Sequence, residues 1–170
     1  EPLGLCPEEL DTGLSPFFKP DGSLMVLSGF PFGWTLWDPV SWKQIDTLGH
    51  PGSLCWFHGF TPVTGEAVEC CEHALIFFDV AEAAIGAQFE VPTAACDVSL
   101  DASGRYVAFA YYVERTPSVE VIDLQTGVRT AAGIEDAECH VAISPPGTLL
   151  VIADIYRGEI TLWSLPEVKR

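Results

Sequence analysis

The strongest constraint on this chain is a repeated stretch. Val119-Glu120-Val121 alternates apolar and polar residues, Ile122-Asp123 ends the strand, and Leu124-Gln125-Thr126-Gly127 then turns the chain. Versions recur at Thr35-Leu36-Trp37-Asp38-Pro39, at Leu75-Ile76-Phe77-Phe78-Asp79-Val80 and at Ile160-Thr161-Leu162-Trp163-Ser164-Leu165. Aligned on Trp37, Phe78, Ile122 and Trp163, the steps are 41, 44 and 41 residues. The turn glycines Gly22, Gly65, Gly104 and Gly147 step by 43, 39 and 43, which supports the same period independently. Alternation with period two describes a half-buried strand, and glycine suits the turns because it takes positive φ without a Cβ clash. Four such units, with no helix-length periodicity, specify an all-β protein.

Within the first unit the signals place strands at 14–18, 23–28, 34–38 and 42–48, with Lys19-Pro20-Asp21-Gly22 as a hairpin turn. The same order follows in the next two units, while the fourth shows three strands, at 139–143, 148–153 and 159–163. Residues 81–87 have helical composition but are too few to nucleate a helix alone. A period of about 40 to 45 residues belongs to propeller blades. The expected architecture is therefore a β-propeller of about four four-stranded antiparallel blades, over 14–48, 54–91, 96–131 and 139–170. Within residues 1–13, Leu3 to Cys6 aligns with the outer strand of a neighbouring blade. Alternation assigns Val26, Leu36, Phe77, Val107, Phe109, Val121, Leu150, Ile152 and Leu162 to the blade cores.

The pattern resembles WD-repeat β-propellers over about 150 of the 170 residues. The first turn of that family's blade often reads Phe-Ser-Pro-Asp-Gly. Here it stands as Phe18-Lys19-Pro20-Asp21-Gly22 and Ile143-Ser144-Pro145-Pro146-Gly147. Trp37-Asp38 and Gly49-His50 match its two dipeptides, and 119–127 is similar to the bacterial YVTN-type propellers. No unit carries the family's whole His, Ser/Thr, Asp and Trp network. The resemblance implies a protein-interaction scaffold or adaptor rather than an enzyme. Its alternative is a ligand-binding or hydrolytic propeller with a central-channel site, for which Asp97 and His140 stand at matching innermost positions. Four blades are few for a closed ring of this kind, so the chain is expected to continue into further blades or to pair with a second copy. Its first residue, Glu1, is consistent with a processed or trimmed piece.

Charge narrows the partners. There are 24 acidic against 8 basic residues, a net charge of −16. Nucleic acid and anionic membranes attract cationic surfaces, so neither is expected. The acid is spread along the chain, which reads first as a solvated surface; the sharper reading is a face for a cationic protein partner. No apolar run approaches the roughly 18 residues of a membrane span, and no signal-peptide pattern opens the chain.

The six cysteines, at 6, 55, 70, 71, 96 and 139, allow 15 full pairings. Cys55, Cys96 and Cys139 fall in apolar runs, where free cysteine acts as a small hydrophobe. The expectation is six reduced thiols and a cytoplasmic protein. Cys70-Cys71-Glu72-His73, with Cys139-His140, offers zinc-ligand types. No Cys-x2-Cys spacing accompanies them, and adjacent strand residues point to opposite faces, so neither metal nor cofactor is expected. No nucleophile elbow, phosphate loop or His-Glu-x-x-His occurs, and no catalytic residues are assigned. Asp38, Asp79 and Asp123 read as turn caps.

The loops between the second and third strands of a unit carry Phe30, Phe32 and Trp34, then Tyr111, Tyr112 and Arg115, then Tyr156 and Arg157. Tyr, Trp and Arg dominate binding hot spots. These eight residues form the expected partner-binding face, rimmed by the acidic Glu8, Glu9, Asp11, Glu135, Asp136 and Glu138. The competing reading has Trp34 and Phe32 covering the apolar layer of their own blade.

Overall fold

The computed structural model describes residues 15–29, 33–48, 55–93, 95–114, 116–132 and 139–165. They form fifteen strands: β1 (Ser15–Phe18), β2 (Met25–Gly29), β3 (Gly33–Asp38), β4 (Lys43–Leu48), β5 (Trp56–Phe60), β6 (Ala67–Cys71), β7 (Ala74–Asp79), β8 (Ala84–Glu90), β9 (Ala95–Leu100), β10 (Tyr106–Val113), β11 (Thr116–Asp123), β12 (Arg129–Ala132), β13 (Cys139–Ile143), β14 (Leu149–Asp154) and β15 (Glu159–Ser164). No described residue is helical. The strands make four antiparallel sheets, each a meander in sequence order, with four strands in the first three and three in the last. The all-β expectation and the four repeating units are thus observed.

Sequence alternation explains how the sheets stack. Trp34, Leu36 and Val26 of the first sheet meet Phe57 and Ala67 of the second. From the opposite face of the second sheet, Val68, Cys70, Leu75 and Phe77 meet Val107, Phe109 and Tyr111 of the third. Tyr106, Ala108, Ala110, Val119 and Val121 of the third then meet Val141, Ile143, Leu150 and Ile152 of the fourth. β10 is buried from Tyr106 to Tyr111 because both of its faces are covered. Among the described residues, every core cluster joins consecutive sheets.

The core assignment needs one correction. Val26, Leu36, Phe77, Val107, Phe109, Val121, Leu150 and Ile152 are buried, but Leu162 is 65% exposed. Leu162 pairs with Val151, on the face of the fourth sheet turned away from the third. Alternation predicts which residues share a face; it does not say whether another sheet lies against that face.

The four turn glycines all take left-handed φ, between 68° and 71°. They differ in surroundings. A Cβ on Gly22 would meet nothing within 4 Å, whereas on Gly147 it would lie 3.1 Å from Asp101 Oδ2 and 3.2 Å from the Tyr106 ring. Gly22→Ala is expected to cost about 1–2 kcal/mol in urea unfolding, the left-handed penalty alone. Gly147→Ala should cost at least about 1 kcal/mol more, because it also crowds the third sheet. Equal costs would remove the contact from the account.

Candidate functional site

The first strands of successive sheets, β1, β5, β9 and β13, lie next to one another. They bring His58, Asp97, Ser99 and His140 onto adjacent strands. β5 is bulged between Phe57 and Gly59, leaving His58 outside the regular ladder. Its Nε2 is buried and makes no hydrogen bond. Burial pushes the imidazole pKa down to about 4, against the opposing pull of the Asp97 carboxylate. Asp97, on β9, accepts the Val141 backbone N–H through Oδ2 at 2.8 Å and faces His140 Nδ1 at 3.2 Å. Two residues on, Ser99 Oγ accepts the Ile143 N–H at 3.0 Å. These side chains satisfy backbone donors along the edge of β13, a general need of exposed strand edges.

The row therefore holds a half-buried imidazole whose Nε2 is enclosed, a carboxylate committed to a strand edge and an exposed imidazole. An acid–base group works best with a pKa near the working pH, and burial has moved His58 far from that. Asp97 and His140 were visible in the sequence. His58 was not, because the bulge that brings it into the row is a backbone feature.

A cleft between the second and third sheets, lined by Thr61, Thr64, Glu66, Phe77, Phe89 and Leu124, has a volume of about 220 Å³. That is below the range of about 300–1,000 Å³ usual for small-molecule sites.

The expected loop face is only partly a surface. Trp34 is 3% exposed: it packs on Phe57 and Phe78 and donates Nε1–H to Glu69 Oε1 at 3.3 Å. Tyr111 is buried against Phe109, and its hydroxyl donates to Glu120 Oε1 at 2.5 Å. Burial and that acceptor push its pKa up to about 12. Both are core side chains rather than partner contacts. The long loop expected after Tyr111 is a tight hairpin, since Tyr111, Tyr112 and Val113 pair with Ser118, Pro117 and Thr116. Tyr112 is half-buried, and Tyr156 and Arg157 lie exposed in the β14–β15 turn. Phe30, Phe32 and Arg115 lie outside the described residues, as do Leu3 to Cys6 and the acidic rim.

The aspartates behave as turn caps. Asp38 Oδ1 accepts from Val40 N–H, Asp79 Oδ1 from Ala81 N–H and Asp123 Oδ1 from Gln125 N–H, at 2.8, 2.8 and 2.9 Å. Asp123 also pairs with Arg105 at 2.6 Å, which holds its carboxyl below the usual range. Asp101 is 1% exposed and accepts the N–H groups of Arg105 and Tyr106 at 2.8 and 2.7 Å.

The cysteines require a second correction. Cys55 and Cys71 form a disulfide, with an S–S distance of 2.07 Å, across the β5–β6 ladder. The expectation of six reduced thiols is overturned, and the cytoplasmic inference loses the premise it stood on. Cys70, on the opposite face from Cys71, is a buried free thiol whose Sγ accepts the Ala95 N–H at 3.1 Å. Adjacent strand residues do point apart, so Cys70 and Cys71 do not share a face; His73 Nδ1 lies 3.0 Å from the Pro92 carbonyl. Cys55, Glu69 and Cys71 do converge, their ligand atoms within 4.8 Å of one another. The sequence hides that trio because Cys55 comes from a different strand. A scan against protein-family models finds no match to this chain, and a search of curated protein sequences finds none either.

Proposed function

We propose that this chain is a protein-interaction module, a β-propeller segment of the WD-repeat kind and not an enzyme, whose last sheet is completed by a second polypeptide. One observation carries the reading: the outer face of the fourth sheet is apolar, and no described strand covers it. Leu149, Ile160 and Leu162 are 40%, 69% and 65% exposed there. Beside them β15 is an edge, with no fourth strand among the described residues. An apolar face next to an unpaired edge offers hydrophobic area and ladder hydrogen bonds to the same partner. Tyr156 and Arg157, in the turn that leads into β15, extend that surface with hot-spot residue types.

Light scattering on the purified chain tests the reading. A second copy is the partner present in such a sample, and each copy carries a net charge of −16. Their repulsion is screened by salt, so the mass should rise above the monomer as protein and salt concentrations increase. A cationic protein partner would show the opposite salt dependence. Changing Ile160 and Leu162 together to Lys, at positions already exposed, should leave the fold intact and abolish association. A monomer at every protein and salt concentration would sink the proposal.

The row of His58, Asp97 and His140 favours a second reading, a ligand-binding propeller with its site on the first strands. That reading expects a bound anion or small molecule to perturb the His140 imidazole in NMR, whereas the interaction-module reading expects perturbations along β15.

A further inference from the structure

We propose that Cys55, Cys71 and Glu69 form a redox-gated zinc site: a disulfide when oxidised, a Zn²⁺-binding trio when reduced. The argument begins with the ladder. Trp56 pairs with Cys70 and Phe57 with Glu69, which sets Cys55 opposite Cys71. Period-two alternation puts Cys71 and Glu69 on one face of β6 and Cys70 on the other. That face is turned toward the first sheet, where Trp34 donates to Glu69 Oε1 at 3.3 Å and so orients the carboxylate. Groups that orient a metal ligand from behind are a regular part of metal sites.

The donor set selects the metal. Two thiolates and one carboxylate suit Zn²⁺, while Mg²⁺ and Ca²⁺ take oxygen ligands. Zinc bonds of about 2.0–2.3 Å place ligand atoms about 3.3–3.8 Å apart. In the oxidised chain the two sulfurs are bonded at 2.07 Å and a Glu69 carboxylate oxygen lies within 4.8 Å of both, so opening the S–S bond by about 1.5 Å brings the trio to that spacing. Three protein ligands leave the fourth tetrahedral position to water. Glu69 is only 2% exposed; holding a buried carboxylate charged is costly, and a dication beside it offsets that cost.

The two states exclude one another, because the same sulfurs serve both. Two molecules of a small thiol reductant break the Cys55–Cys71 bond, giving two thiols on the chain and one disulfide between the reductant molecules. Zn²⁺ then binds the sulfurs as thiolates and releases two protons. Either state ties β5 to β6 beside the contact between the first and second sheets.

The test uses the whole chain. Half the sample is kept oxidised and half is reduced with a phosphine; both are incubated with Zn²⁺, gel-filtered and analysed for metal. The reduced chain should carry one zinc and the oxidised chain none. Substitution by Co²⁺ should give a thiolate-to-cobalt charge-transfer band in the reduced chain alone. Cys71→Ser should abolish binding, Glu69→Gln should weaken it at least tenfold, and Cys70→Ser should leave it unchanged. The proposal fails if the reduced wild-type chain takes up no zinc, if Cys71→Ser binds as tightly as wild type, or if Cys70→Ser loses the metal. Because the oxidised and reduced comparison uses the unaltered chain, it holds even where a variant misfolds.

Discussion

Truncating Phe109 to Ala is expected to lower stability by about 3–5 kcal/mol, the usual cost of removing a large buried aromatic. Phe109 is fully buried on β10, the strand with both faces covered, and its ring stacks on Tyr111 with centroids 5.5 Å apart. The cavity would open between the second and third sheets, where Val68, Leu75 and Phe77 supply the facing side chains. Strands held in two ladders collapse poorly around a void, so little of the loss should be recovered. Phe109→Leu, which keeps most of the volume, should cost less than about 1.5 kcal/mol. Leu162→Ala is the control, since the same residue pattern assigns Leu162 to the core but the structure leaves it 65% exposed. In dilute solution it should change stability by no more than about 0.5 kcal/mol. Urea unfolding with unchanged slope distinguishes the cases; a Leu162→Ala cost comparable to that of Phe109→Ala would mean that something covers the outer face of the fourth sheet in solution.

Acid should destabilise the fold through His58 before it does so through the carboxylates. The His58 pKa is about 4 in the folded chain, against 6.5 when unperturbed. Between those values the unfolded chain binds a proton that the folded chain refuses. Stability from this group is therefore complete above pH 6.5 and falls away as the pH drops toward 4, by about 3 kcal/mol across the window. Asp21, Asp38 and Asp123, held below their ordinary value of 3.8, lose their contribution at lower pH still. Replacing His58 by Gln removes the titrating group, so its stability profile should be nearly flat over the window where the wild-type curve falls. Parallel curves for the two proteins would show that His58 titrates freely and that the bulge on β5 does not enclose it.

The sequence was most informative where the physics is local. Alternation, the Asp-capped turns and the left-handed glycines depend on residues a few positions apart, so four meandering units could be placed closely from the chain alone. The opposed directions of Cys70 and Cys71 followed from strand geometry in the same way. What escaped depends on how units meet. Tyr111 read as a surface aromatic, and Trp34 read equally as a surface contact or as cover for its own blade, because hot-spot composition and core composition overlap; only the stacking of the second sheet against its two neighbours decides that both are buried. Leu162 read as core because alternation cannot see that no described strand lies against the outer face of the fourth sheet. His58 enters the first-strand row through a bulge, and Cys55 finds Cys71 and Glu69 through the register of β5 on β6. A strand's side-chain period is written in its own sequence. Its register and its neighbours are set by the balance of packing over the whole molecule, and that balance decided the core, the disulfide and the candidate site.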